Sequence, residues 1–187
     1  MQGQGIAYDM QKVAEEDVPR FVSPRRVVSE FNLWQGDHVL DVASGAGHYI
    51  PHLRAAVGPK GRVYAHSAQK AHHELLTRDT VARGHHEVVP LLHMLEDGEL
   101  DIVAGTIDAV LLANVLSAEG FKTEGLLAEM QRVIRREGKL CVVDWRSRED
   151  TERALIALLA EFGFEPKRAL SPAATGSYHY GILFTKR

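Results

Sequence analysis

The chain has 187 residues, of which 45% are apolar and 25% charged, and 22 basic against 25 acidic residues leave a net charge of −3. That length suits a single domain, residues 1–187, able to bury roughly 70% of its unfolded surface, and the balance excludes a disordered or fibrous chain. Basic residues are scattered rather than gathered into a tract, so there is no electrostatic ground for a nucleic acid partner.

Residues 1–35 read as an N-terminal lid and leading helix. Met1 to Met10 lacks the basic and apolar stretches of an export signal, and no apolar run approaches the ~20 residues of a membrane span. Ser23-Pro24 supplies an N-cap and a first-turn proline, with Val27, Val28 and Phe31 on one face. His38 to Ala43 is an apolar strand, followed by a small-residue turn and a helix over His48 to Val57. Arg62 to His66 is a second strand and Ala68 to Arg83 a helix. Glu87 to Leu92 is a weaker strand, because Pro90 removes one ladder donor. Ile107 to Leu112 and Lys139 to Asp144 are further buried strands. Between them Leu126, Leu127, Met130, Val133 and Ile134 take helical spacing, with Gly138 as the stop. Thr151 opens a helix carrying Leu155, Leu158, Leu159 and Phe162. Phe164 to Leu170 and Tyr178 to Thr185 then follow as two strands joined by a loop, which pair antiparallel. Strands alternating with helices imply a doubly wound, Rossmann-like α/β sheet, mostly parallel, with an antiparallel C-terminal strand.

The turn Ala43-Ser44-Gly45-Ala46-Gly47-His48 lies at the carboxyl end of the first strand, where open parallel sheets bind ligands. Gly45 and Gly47 allow close backbone approach, and the helix behind them offers unpaired N–H groups. A dinucleotide fingerprint would need a small residue where Ile50 stands, and here an acid, Asp41, precedes the turn.

Asp41-x-Ala43-x-Gly45-x-Gly47 resembles motif I of the class I S-adenosylmethionine-dependent methyltransferases, with Ala43 where many members have glycine. Leu40 to Gly47 is particularly similar to the quinone-biosynthesis branch and related small-molecule enzymes. The resemblance runs through roughly Arg25 to Arg187, taking in Gly61 to Ala65, Ile107 to Leu116, Glu129 to Leu140 and Tyr178 to Gly181. It implies a seven-stranded sheet with an antiparallel last strand and S-adenosylmethionine as cofactor. It also implies a cofactor site of Asp41, Ala43, Ser44, Gly45 and Gly47, with Glu96 and Asp97 facing the adenine and Asn114 after the fourth strand. At the ribose position, where the family carries an acid, this chain has Ser67, with His66 and Gln69 as substitutes for the missing carboxylate.

Methyl transfer from a sulfonium needs in-line positioning more than acid or base help. Catalytic candidates are therefore few: Asn114, and His48 or His179 as base for a hydroxyl acceptor. Trp145, Arg146, Tyr49 and Tyr8 are further polar or aromatic candidates. His48 and His52 share helical spacing, but no third ligand is specified, so no metal is expected and the histidines read as solvated. Cys141 lies inside an apolar strand and reads as packing. A cytoplasmic enzyme with a small-molecule substrate is the resulting expectation, and a homodimer is compatible with it. A catalytically silent relative binding another ligand or a protein is the alternative.

Overall fold

The structure, a computed structural model, describes residues 21–94, 99–117, 123–146 and 151–187. Tyr8, Glu96 and Asp97 lie outside the described residues. The elements run α1 (Pro24–Glu30), β1 (His38–Val42), α2 (Ile50–Val57), β2 (Arg62–Ser67), α3 (Lys70–Arg83), β3 (Val88–Leu92) and β4 (Ile107–Ala113). After these come α4 (Thr123–Val133), β5 (Ile134–Trp145), α5 (Thr151–Glu161), β6 (Phe164–Ala169), α6 (Pro172–Thr175) and β7 (His179–Lys186).

The strands form one sheet in the order β3-β2-β1-β4-β5-β7-β6. All adjacent pairs are parallel except those of β7, which runs antiparallel to both β5 and β6. This is the expected doubly wound sheet with its antiparallel C-terminal strand. Pro90 is tolerated because β3 is an edge strand, and Pro166 sits on the opposite edge beside a register shift.

Alternate residues of the central strands feed two cores, as buried parallel strands require. Leu40, Val42, Val110, Leu112, Leu140 and Val142 pack with α4 and α5. Val39, Val63, Ala65, Leu111, Cys141 and Val143 pack with α1, α2, α3 and α6. Glu30 fastens α1 to the far side of the sheet. Its carboxylate accepts hydrogen bonds from the Ser171 N–H at 2.9 Å, the Ser171 hydroxyl and Arg168 at 3.2 Å.

Three boundaries differ from the sequence expectation. α2 begins at Ile50, because His48 and Tyr49 still belong to the turn. α4 ends at Val133, and Ile134 already pairs with Ile107 before residues 135–138 loop out and Lys139 meets Ala109. The loop after β6 contains the single-turn helix α6. Gly138 closes the α4–β5 corner against backbone: a Cβ there would lie 2.8 Å from the Arg135 carbonyl, 3.1 Å from that of Asp108 and 2.5 Å from Ile134 Cγ2. Gly138→Ala should therefore destabilise the fold by about 1–3 kcal/mol in chemical denaturation. An unchanged midpoint would mean that the corner yields freely.

Candidate ligand-binding site at the carboxyl edge of the sheet

β1 delivers the chain into a turn whose backbone is left-handed at three positions: Ala43 at φ +53°, Gly45 at +54° and Gly47 at +79°. An L-residue at Ala43 bears a steric cost there that glycine escapes. Hydrogen bonds to one neighbouring residue hold the turn in shape. The Ser44 N–H and hydroxyl both donate to the His66 carbonyl, at 2.9 and 3.1 Å, and the Ala43 N–H donates to His66 Nδ1 at 3.2 Å. His66 Nε2 lies 2.9 Å from the His93 carbonyl, which can only accept, so Nε2 carries the proton and Nδ1 is the acceptor. The imidazole is fully buried and neutral, and it ties the tips of β1, β2 and β3 together. Burial holds its pKa below the usual histidine value, against the upward pull of the His93 carbonyl. With both nitrogens committed, His66 is removed from the ribose role. Sequence spacing gave no sign of this latch, because its partners lie 23 and 27 residues away.

The two glycines do different work. A Cβ at Gly47 would come within 2.8 Å of Leu76 and 3.3 Å of Ile50, so Gly47 lets the turn pack on α2 and α3. A Cβ at Gly45 would meet nothing nearer than the Ala43 carbonyl at 3.9 Å, so Gly45 faces open space. That space is where a ligand can touch backbone.

Asp41, one residue before the end of β1, is 1% exposed, and its Oδ2 has no hydrogen-bond partner among the described residues. Burial alone pushes its carboxyl pKa up to about 8. Beside it, burial and then the charges of Cys141 and Asp41 raise the Tyr49 phenol. A buried carboxylate without a partner is costly and is complemented by a cation.

Ser67 ends β2 and is buried, and its hydroxyl both accepts from the Gln69 N–H and donates to the Gln69 carbonyl, each at 3.1 Å. Gln69, the exposed N-cap of α3, is the outward-facing polar side chain at this corner. Asn114 follows β4, exposed and left-handed at φ +57°, with its N–H bonded to the Val143 carbonyl at 2.8 Å. The turn after it is wrapped on Asp144, whose carboxylate accepts from the Leu116, Ser117 and Trp145 N–H groups at 2.9, 3.1 and 2.8 Å and from the Ser117 hydroxyl. Asp144 is thus a loop anchor, a role its sequence position did not reveal.

Asp41, the 43–47 turn, Ser67 and Asn114 therefore converge on the carboxyl ends of three adjacent strands, β2, β1 and β4. His48 is exposed at the end of the turn. His179 opens β7, three strands from β1, and is not brought together with these residues. Among the described residues no three His, Cys, Asp or Glu side chains gather as a metal-ligand set, and no helix is long and apolar enough to cross a membrane. A surface cavity of about 480 Å³ lies at the opposite edge, lined by Arg136, Glu137, Glu165, Lys167 and the end of β7. Lys167 and Arg187 both bridge to Glu165 there, and the cavity is remote from the glycine turn.

Residues 40–142 match the family described as "Methyltransferase domain". No curated protein is significantly similar to the chain in sequence. Among solved structures, an S-adenosylmethionine-dependent methyltransferase from Aquifex aeolicus is similar, with 25% identity over 89% of this chain and 91% of that one and a TM-score of 0.77. A TehB-like S-adenosylmethionine-dependent methyltransferase from Corynebacterium glutamicum shares the fold at 17% identity, over 89% and 88% of the two chains, with a TM-score of 0.69. So does M. jannaschii TYW2, solved in complex with AdoMet, at 18% identity over 88% and 74%, with a TM-score of 0.62.

Proposed function

The chain belongs to the methyltransferase domain family, and from that premise we propose that it binds S-adenosylmethionine at the Ala43–Gly47 turn and transfers its methyl group to a small-molecule acceptor. The observation that carries this reading is the pairing of a buried Asp41 carboxyl, whose Oδ2 has no hydrogen-bond partner among the described residues, with the open backbone at Gly45. A zwitterionic amino acid moiety complements both: its ammonium meets the acid, and its carboxylate meets turn N–H groups ahead of α2. Asn114 stands at the next strand tip, where the reacting end of such a ligand would lie. The bound sulfonium supplies an electrophilic methyl group. The protein's share is to hold the turn rigid through His66, exclude water and align the acceptor. The Leu40–Gly47 pattern supports placing the chain with the quinone-biosynthesis-like, small-molecule branch.

Ser67 marks where this site departs from its family. A neutral hydroxyl already engaged with Gln69 cannot give a ribose two charge-assisted hydrogen bonds. Ser67→Asp should therefore tighten S-adenosylmethionine by about 1–3 kcal/mol, or up to about a hundredfold, in equilibrium dialysis with methyl-labelled ligand. Weaker binding by the variant would place the ribose elsewhere. No binding by either protein would favour a silent relative that has kept the fold without the cofactor.

A further inference from the structure

The cavity of about 480 Å³ lies at the amino edge of the sheet, where β6 begins and the antiparallel β7 ends. The paired run Lys139–Trp145 of β5 separates that edge from the carboxyl edge, on the order of 20 Å. The cavity takes no part in the methyl-transfer reading.

Its charges are unequal. Four cationic side chains, Arg136, Lys167, Lys186 and Arg187, line it with two acids, Glu137 and Glu165. A carboxylate on the main chain of Arg187 would reduce that excess without cancelling it. The chain as a whole carries −3, so the positive excess is local. Folding gathers it from β5, β6 and β7, which is why no basic tract announces it in the sequence.

The cations are also held in place. Glu165 accepts from Lys167 Nζ at 3.1 Å through one oxygen and from Arg187 Nε at 2.5 Å through the other. One carboxylate thus fixes two cations side by side and offsets the charge of one. Both pairs are solvent-accessible, so they position these groups more than they stabilise the fold. Arg136 stands two strands from Lys167, with β7 between them, on the loop of residues 135–138. That loop is pinned from three sides. Arg135 bonds Asp108 at 2.7 Å, Gly138 packs against backbone, and the Lys186 ammonium bonds the Gln131 carbonyl and, at 2.7 Å, the Ile134 carbonyl. Lys186 thereby offsets the partial negative charge at the end of α4, which would otherwise oppose an anion. Arg136 itself is exposed and has no acidic partner among the described residues, in contrast to its neighbours Arg135, Lys167 and Arg187.

We propose that this cavity is a second ligand site, which binds a dianionic phosphate group, free or as the monoester of a small molecule. Arg136 and Arg187 offer planar guanidinium donors that suit phosphate oxygens, and Lys167 adds a compact charge. Arg187 keeps its terminal nitrogens for the ligand, because its bond to Glu165 uses Nε. The volume falls within the range of small-molecule sites, so the organic part of a monoester has room beside its phosphate. The site is independent of the glycine turn and stands whether or not the methyl-transfer reading does.

Phosphorus NMR titrations of the full chain with inorganic phosphate and with phenyl phosphate, at constant ionic strength in sodium chloride, test this. At least one resonance should shift saturably, with one site per chain and a dissociation constant below about 1 mM. Arg136→Gln should weaken binding about tenfold or more. Lys60→Gln, at an exposed lysine of the same edge outside the cavity, should leave it unchanged. No histidine lines the cavity, so acid acts on the ligand. Its second ionisation lies at about 6, and moving from about pH 7.5 to about pH 5 should cost about fivefold or more in affinity. Tighter binding of phenyl phosphate than of inorganic phosphate assigns the site to a monoester, and equal or weaker binding assigns it to free phosphate. If Arg136→Gln fails to fold, Lys167→Gln on the edge strand serves instead, with the same expected loss. The proposal is overturned if neither ligand binds saturably, if affinity is the same in acid, or if the cavity variant binds as tightly as the wild type. It is equally overturned if Lys60→Gln weakens binding as much as the cavity variant does, since the attraction would then belong to the whole edge.

Discussion

Asp41→Asn is expected to make the ligand-free protein more stable in alkaline solution and, at the same time, a poorer binder of S-adenosylmethionine. The carboxyl pKa rises from 3.8 when unfolded to about 8 when buried in the fold. Between those values the folded state holds a proton that the unfolded state has released. Wild-type stability therefore falls as pH rises through that window and levels off above about 8. The amide stays neutral and removes this dependence, with a gain on the order of 1–3 kcal/mol above the window. Binding moves the other way, since a charge-assisted partner for the ligand ammonium is lost. About 1.5–3 kcal/mol corresponds to roughly tenfold to a hundredfold in affinity. A further signature follows: at neutral pH ligand binding by the wild type should expel the Asp41 proton. Calorimetry in buffers of different ionisation enthalpy would register that release in the wild type and not in the variant. Equal affinity and equal pH dependence in the two proteins would remove Asp41 from the site.

His66→Leu should produce the largest loss of stability. The leucine fills the buried volume but leaves the Ala43 N–H and the His93 carbonyl without partners. At about 1–3 kcal/mol for each stranded group, the fold loses roughly 2–6 kcal/mol. The Ala43 amide should also exchange with solvent much faster, which a structural loss elsewhere would not cause. His66→Gln, with one acceptor and one donor in its side chain, should recover part of the loss. The wild type carries a matching acid sensitivity. Because folding lowers the imidazole pKa below 6.5, its contribution is complete above 6.5 and is lost as pH falls through 6.5 towards the lower folded value. A proton on Nδ1 would then face the Ala43 N–H and open the latch. Denaturant titrations across that range, together with amide exchange, test the point; a leucine variant as stable as the wild type would refute it.

The sheet was readable in the sequence because buried parallel strands are bare apolar runs, as in Ile107–Ala113, and because amphipathic helices announce themselves by spacing, as in α4. The end of α4 was not, since Ile134 satisfies the helical period and the strand pairing equally well, and only its pairing with Ile107 decides between them. The glycine turn was visible as a motif, but the division of labour between Gly45 and Gly47 depends on what a Cβ would touch. His66, Asp144 and His179 show the same limit. A lone polar residue in an apolar strand signals that something must satisfy it, yet its partners lie on other strands at separations no local pattern encodes. His66 and Asp144 find backbone there; the nitrogens of His179 find none among the described residues.

On the proposed reading, the space above Gly45 and beside Asp41 holds a sulfonium-bearing adenosine. Isothermal titration of the wild-type chain with S-adenosylmethionine measures this directly. The expected result is one site per chain with a dissociation constant on the order of micromolar, equivalent to about 8 kcal/mol. A titration flat at every pH at which the protein stays folded would contradict it.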